Sequence, residues 1–366
     1  MMSDVFVIGA GCSVPYGFPT GAMLMQKLKN FNYGEKNQNN QHDSLFPYLF
    51  DIYQESLGTY QKYTQLKNSN GPYFFKVEEI EGDAFNKTEN IVAPFAQSIR
   101  HSMMVSTDEF LKNRLSQVKS DEADFGKRLI AREILMSERD SMKSYAIVDG
   151  KREQKKQWLG NIDWIQHLLS RIDQQEKWEE ILKQTVFLTF NYDRVLEYCL
   201  FLYLTSDKQY DSATALSFIK KMHIFHINGF IGPLENIPFG CVENGKYQDI
   251  AKGMETVWEK RQNRDESEKQ KYQEILKNAN RVYFLGFSYI PDNLDSIGID
   301  RGAEIIHDAK VYATAMGLSP QNRLRVASYL NINEFEKRKE IEEYDDNRIL
   351  KDASAESLIL DYYTFE

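Results

Sequence analysis

The sequence predicts an α/β protein: a Rossmann-like, doubly wound parallel sheet carrying a large helical insertion. Three observations lead there. The uninterrupted apolar run Val5-Phe6-Val7-Ile8 reads as a strand buried on both faces, and it enters the glycine-rich turn GAGCSVPYGFPTG directly. Four later short apolar runs, at residues 185–189, 223–227, 282–285 and 310–313, each end in small or polar residues. Helical periodicity fills most of the chain between the first strand and the second. Strands separated by helices in this way form a parallel sheet whose ligand edge gathers the C-terminal ends of the strands.

Taken in order, the first strand passes through Gly9 and Gly11, which allow a sharp turn and close approach of a ligand to the backbone. Backbone N–H groups at the start of the next helix are expected to face a pyrophosphate. Val14 stands where the dinucleotide fingerprint G-x-G-x-x-G has its third glycine, and Ser13, Pro15, Pro19 and Thr20 make the turn stiffer and more polar. The plainer alternative is a tight strand-to-helix turn without a ligand. A first helix follows over residues 21–30, then a polar, irregular stretch over 31–70. Helices are expected over 91–115, 123–137 and 158–174, the last with Trp164, His167, Leu168 and Ile172 on one face. Residues 255–280 read as a solvated helix with a thin stripe of Val257, Trp258, Tyr272, Ile275 and Leu276. The expected organisation is a sheet domain from residues 1–30 and 180–330, a helical insertion module over 31–179, and a charged, helical C-terminal extension over 331–366.

Composition narrows the function classes. With 45 Lys and Arg against 54 Asp and Glu, the formal charge of −9 argues against a chain that binds nucleic acid without sequence preference. Cys12, Cys199 and Cys241 are far apart and form no C-x-x-C pair, which excludes a disulfide scaffold and a four-cysteine zinc site and fits a reducing cytoplasm. The first strand begins too early to leave room for a signal peptide, and the apolar run YCLFLYL is too short to span a membrane.

Two constellations carry candidate chemistry. Asn191 and Asp193, two residues apart where a buried strand ends, suit the hydroxyls of a ribose and an adjacent water; capping of the next helix is the alternative reading. His226 and Asn228 share one strand face. His226 is the natural general base of this set, since imidazole alone among these groups titrates near neutrality, although a histidine in an apolar strand is more often structural. Asn228 can orient a water but cannot take its proton.

In order, GAGCSVPYGFPTG, the segment VSTDEFL, TFNYDR, the histidine-containing strand ending in glycine, FLGFSY and YATAMGLS resemble the SIR2-like (sirtuin-like) domain of bacterial antiphage defence proteins. The resemblance covers residues 1–30, 100–140 and 180–330. It implies an NAD⁺-binding domain that cleaves the nicotinamide–ribose bond, with NAD⁺ as substrate. On that resemblance Gly9, Ala10, Gly11, Cys12 and Ser13 form the phosphate turn, with Pro19 and Thr20 beside it. Asn191 matches the catalytic asparagine and Asp193 supports it. Gly286 and Ser288 correspond to a ribose-side loop, and Thr314 begins the adenine-side strand end. It also implies homo-oligomerisation and control by a partner in trans, such as a HerA-like ATPase or another phage-sensing protein.

Two departures stand out. The family's catalytic histidine directly precedes the glycine, where this chain has Asn228-Gly229 with His226 two residues earlier. The zinc-binding cysteines of deacetylating sirtuins are missing, so no zinc is expected. The alternative function is a catalytically weak or inactive subunit that senses or binds NAD or ADP-ribose within a defence complex.

Overall fold

The computed structural model describes residues 3–31, 88–115, 120–142, 145–148, 151–154, 163–241, 247–255, 259, 266–301, 304–332 and 347–365. Six strands form one all-parallel sheet: β1 (Ser3–Ile8), β4 (Val186–Thr189), β5 (His223–His226), β6 (Ala279–Leu285), β7 (Lys310–Thr314) and β8 (Arg348–Lys351). Their spatial order is β5-β4-β1-β6-β7-β8. Counting only the strands of this sheet, that is the 3-2-1-4-5-6 order of a Rossmann fold, with the direction of winding reversing between β1 and β6. The expected α/β class, with a doubly wound parallel sheet, is what the chain adopts.

Strand alternation divides the core into two layers. Phe6, Phe187, Tyr283, Tyr312 and Ile349 face one side, where α1 (Gly21–Lys29), α7 (Val195–Leu202) and α13 (Ala355–Tyr362) pack. Phe6 stacks on Phe187 and on Tyr283, and Tyr283 on Tyr312, at centroid distances of 5.3, 4.8 and 5.1 Å. Val5, Val7, Leu188, Val282, Phe284 and Val311 face the other side, against α10 (Glu266–Lys277) and α12 (Pro320–Tyr329). Burial on both faces explains why the strand sequences read as continuous apolar runs rather than alternating ones.

The insertion contributes α2 (Ala93–Arg100), α3 (Thr107–Leu115), α4 (Ser120–Met142), α5 (Trp164–Asp173) and α6 (Trp178–Gln184). Phe95, Ile99, Phe110, Leu111, Phe125 and Leu129 from these helices join the same apolar cluster as Phe6 and Tyr283, so the insertion packs on the sheet's first face.

Four expectations change. The helix over 91–115 is broken between Arg100 and Thr107, because Ser106 caps a new helix: the Glu109 N–H donates to its Oγ (3.2 Å) while the Val105 N–H, one residue before the cap, donates to Glu109 Oε2 (3.3 Å), a capping box shifted by one residue. An antiparallel hairpin, β2 (Tyr145–Val148) with β3 (Lys151–Gln154), interrupts the helical insertion. The C-terminal extension is not merely helical, since β8 pairs with β7 as the sixth strand before α13 begins. Within 158–174, α5 starts only at Trp164, where Asp163 accepts the Ile165 and Gln166 N–H groups at 2.9 and 3.2 Å. The polar stretch over 32–70, and Val257 and Trp258 of the charged helix, lie outside the described residues.

Candidate functional site

The tips of β1 and β6 meet at the switch point, where a Rossmann sheet opens its ligand crevice. The Gly9 N–H donates to Leu285 O and the Gly11 N–H to Gly286 O, both at 3.0 Å, and the Cys12 N–H closes onto Gly9 O at 3.0 Å. The bend continues as a 3-10 turn over Ala10–Tyr16, with Ala10 partly buried and Gly11 exposed. The Gly11 and Cys12 N–H groups thus have acceptors inside the protein. The glycines answer to the contact between the two tips. A Cβ on Gly9 would lie 2.5 Å from Gly286 O, and one on Gly286 (φ +54°) 2.4 Å from Cys12 N. Backbone cannot yield there as a flexible side chain would. Gly286→Ala is expected to destabilise the protein by roughly 2–4 kcal/mol, through overpacking and a left-handed backbone, measured as a lower urea midpoint with an unchanged slope.

Against this bend sits Asn191, 7% exposed. Its Nδ2 donates to Gly9 O (3.2 Å) and to Ser13 Oγ (3.0 Å), and its own N–H donates to Thr189 Oγ1 (3.1 Å). The Gly9 carbonyl can only accept, which fixes the amide with Nδ2 toward the bend. Asn191 Oδ1 is left buried without a partner. Such an atom calls for a donor, a water or a ligand hydroxyl. The Ser13 hydroxyl, accepting from Asn191, donates in turn to Asp193, and Asp193 Oδ1 also accepts the Val195 N–H at 3.1 Å. Asp193 thus fills the capping role that the sequence left open, while its contact with Ser13 ties it to Asn191.

A small cavity of about 10 Å³ lies among Cys12, Ser13, Trp164, Asn191, Glu197 and His226. That is room for roughly one water and too little for a nicotinamide ring. Trp164 Nε1 donates to Cys12 O at 3.1 Å and the Tyr16 hydroxyl donates to Asp163, so the end of the insertion is fastened onto the bend.

His226 is placed differently from a base. Its Nδ1 lies 3.0 Å from Asn191 O and its Nε2 2.6 Å from Glu197 Oε1. A backbone carbonyl only accepts, so Nδ1 carries a proton. Nε2 either donates to the carboxylate or accepts from the carboxylic acid. In both arrangements neither ring nitrogen keeps a free lone pair. Phe230 stacks on the imidazole at 4.2 Å. As placed, His226 holds the Asn191 backbone rather than accepting a proton from water. Glu197 gave one signal in the sequence, a lone carboxylate in the apolar helix VLEYCLFL.

The remaining candidates scatter. Asn228 is buried beyond β5, where its carbonyl accepts the Glu255 N–H at 2.8 Å; it does not line the small cavity. Thr20 caps α1 by accepting the Met23 N–H (3.3 Å), and Pro19 precedes it in the chain. The Thr314 hydroxyl accepts the Gly286 N–H (2.9 Å) and donates to Phe284 O (3.2 Å), so it braces the β6 tip. Ser288 Oγ lies 3.5 Å from Asn293 Nδ2. Gly9, Cys12, Ser13, Asn191, Asp193 and His226 are brought together; Thr20 and Asn228 are not.

The electrostatics of the cluster tie it to pH. Burial, opposed by the Val195 and Ser13 hydrogen bonds, pushes the Asp193 carboxyl up to about 6. Burial alone would lower the His226 pKa, but the Glu197 carboxylate outweighs it and the net shift is upward. Both groups hold protons more tightly folded than unfolded. The stability conferred by protonated Asp193 is therefore lost as pH rises through about 6, and that of His226 as pH rises through its raised value. The melting temperature is expected to fall between about pH 4 and pH 6 through Asp193, whose ordinary value is 3.8, and again above about pH 6.5 through His226. Asp193→Asn removes the part due to Asp193, up to about 3 kcal/mol.

Among the described residues, no group of three or more His, Cys, Asp or Glu side chains is placed to hold a metal ion, and no helix is long and apolar enough to cross a membrane. The fold and site together define a Rossmann-like α/β protein with a buried amide at its switch point. The chain matches no protein-family model, no curated protein and no solved structure.

Proposed function

We propose that this chain is a SIR2-like NAD⁺ glycohydrolase of antiphage defence, depleting NAD⁺ in the cytoplasm under the control of a partner or of its own oligomerisation. The observation that carries the reading is the Asn191 amide, locked by Gly9 O and Ser13 Oγ at the C-terminal edge of the sheet with its Oδ1 buried and unpartnered. In this reading the dinucleotide lies outside the small cavity, over the exposed Gly11 side of the bend, and the cavity holds a water. Asn191 Oδ1 accepts from that water or from a ribose hydroxyl. The C1′–N bond breaks with its electron pair passing to the nicotinamide nitrogen; water adds to C1′ and its proton leaves to solvent. Because the sugar develops oxocarbenium character, orientation and electrostatics contribute more than a strong base. That accommodates Asn228 in place of histidine and a His226 ring without a free lone pair.

The same engaged ring, with the internally bonded N–H groups of the bend, favours a second reading: a weak or inactive subunit that binds NAD or ADP-ribose in a complex with a HerA-like ATPase or another phage-sensing partner. Incubating the full chain with NAD⁺, alone and with candidate partners, separates the two. The first reading expects equimolar nicotinamide and ADP-ribose. Saturable binding with no product in any condition supports the second.

A further inference from the structure

Successive residues of the turn after β4 face alternate neighbours. Asn191 and Asp193 turn to the glycine bend and Ser13. Tyr192 and Arg194 turn to the helical insertion. Arg194 meets Glu138 of α4, and the Tyr192 hydroxyl lies 3.2 Å from Asp108 Oδ1 of α3 and 2.9 Å from Glu255 O. The chain bends at Tyr192 and Asp193 as it leaves β4, and Arg194 (φ −122°, ψ 32°) leads into α7. The Asn191 amide therefore shares one short stretch of backbone with two insertion contacts.

The two contacts differ in kind. Glu138 and Arg194 form a fully buried two-point pair with no slack. The Tyr192 contact is partly buried, and one hydroxyl hydrogen serves two acceptors. Asp108 owes its place to local sequence: the capping box of Ser106 and Glu109 sets the first turn of α3, and Phe110 and Leu111 anchor it in the core. A Cβ on Gly126 of α4 would lie 2.6 Å from Leu111 Cδ2, so α3 is seated closely on α4.

We propose that Asp108 and Tyr192 are positioning residues for Asn191, their contact transmitting the seat of α3 to the amide. The segment VSTDEFL thereby acquires a task at a site more than 80 residues further along the chain. The kinetic arm of the test rests on the proposed NAD⁺ hydrolysis; a second arm does not.

The experiment compares Tyr192→Phe, Asp108→Asn, the double variant and Asp108→Glu in the full chain. Each of the first two single variants is expected to lower kcat about tenfold, with KM unchanged and a fall in melting temperature no larger than the loss of one hydrogen bond explains. The double variant falls no further than either, and Asp108→Glu recovers part of the loss. Unchanged kcat, a rise in KM alone, or losses that multiply in the double variant overturn the proposal. If the wild-type chain releases no nicotinamide, the hydrolase reading fails and amide hydrogen exchange decides. Tyr192→Phe then speeds exchange at Asn191 and Val195 about tenfold while β1 is unchanged; identical exchange overturns the proposal.

Discussion

Replacing Glu138 by alanine is expected to lower the stability of the protein by about 3–5 kcal/mol, the cost of leaving one member of a buried ion pair without the other. Glu138 and Arg194 are both fully buried. The Arg194 Nε and Nη2 donate to the two carboxylate oxygens at 3.0 and 2.7 Å, and the Gly240 N–H adds a third bond to Oε2 at 3.1 Å. The substitution leaves the guanidinium with the Gly232 and Ile237 carbonyls, which Nη1 reaches at 3.1 and 2.5 Å, and with no counter-charge, and it opens a cavity beside α4. Arg194→Met alone strands the carboxylate and is expected to be comparably damaging. The double variant Glu138→Leu, Arg194→Met removes both charges together and is expected to recover most of the loss. Urea unfolding of the four proteins measures this; a double variant as unstable as Glu138→Ala would show that packing around α4, and not charge pairing, holds the turn.

Asn191→Ala is expected to lower NAD⁺ turnover by about 10²–10³-fold, the usual effect of removing one preorganised polar group from a reacting centre. The stability change is expected to be much smaller. The substitution frees Gly9 O and Ser13 Oγ beside a cavity that then admits more water, and the backbone bonds to Thr189 and His226 remain. Asn191→Asp tests the polarity of the arrangement, because a carboxylate facing Gly9 O sets two acceptors against each other. It is expected to be as inactive as alanine and less stable. Steady-state assay of nicotinamide, with a melting curve for each variant, checks both statements.

The sheet was legible because strands buried on both faces are largely apolar, as Val5–Ile8 and residues 186–188 are. β8 was not, since Arg348-Ile349-Leu350-Lys351 offers two apolar residues and forms an edge whose register depends on β7, distant in sequence. The hairpin β2–β3 was missed because its second strand, Lys151–Gln154, is wholly polar, although the first, Tyr145–Val148, is an apolar run. At the site, Asn191 and Ser13 could be placed together from their positions at two strand tips. What sequence could not supply was the partner of each polar atom. Gly9 and Gly11 suggest a ligand cradle on sequence alone, yet the observed demand on Gly9 comes from Gly286, far away in the chain and adjacent only in the Rossmann order. His226 reads as a base until Glu197 and the Asn191 carbonyl are seen at its two nitrogens. The carboxylates that Tyr192 and Arg194 meet, Asp108 and Glu138, lie in an insertion whose packing only the fold decides.

The most direct measurement of the central claim is a crystal structure of the full chain with ADP-ribose bound. The diphosphate is expected over the exposed side of the Gly9–Ser13 bend near Gly286, with a hydroxyl of the terminal ribose or an ordered water donating to Asn191 Oδ1. A ligand bound elsewhere, or an Asn191 Oδ1 still without a donor beneath a ligand that avoids the switch point, would contradict it.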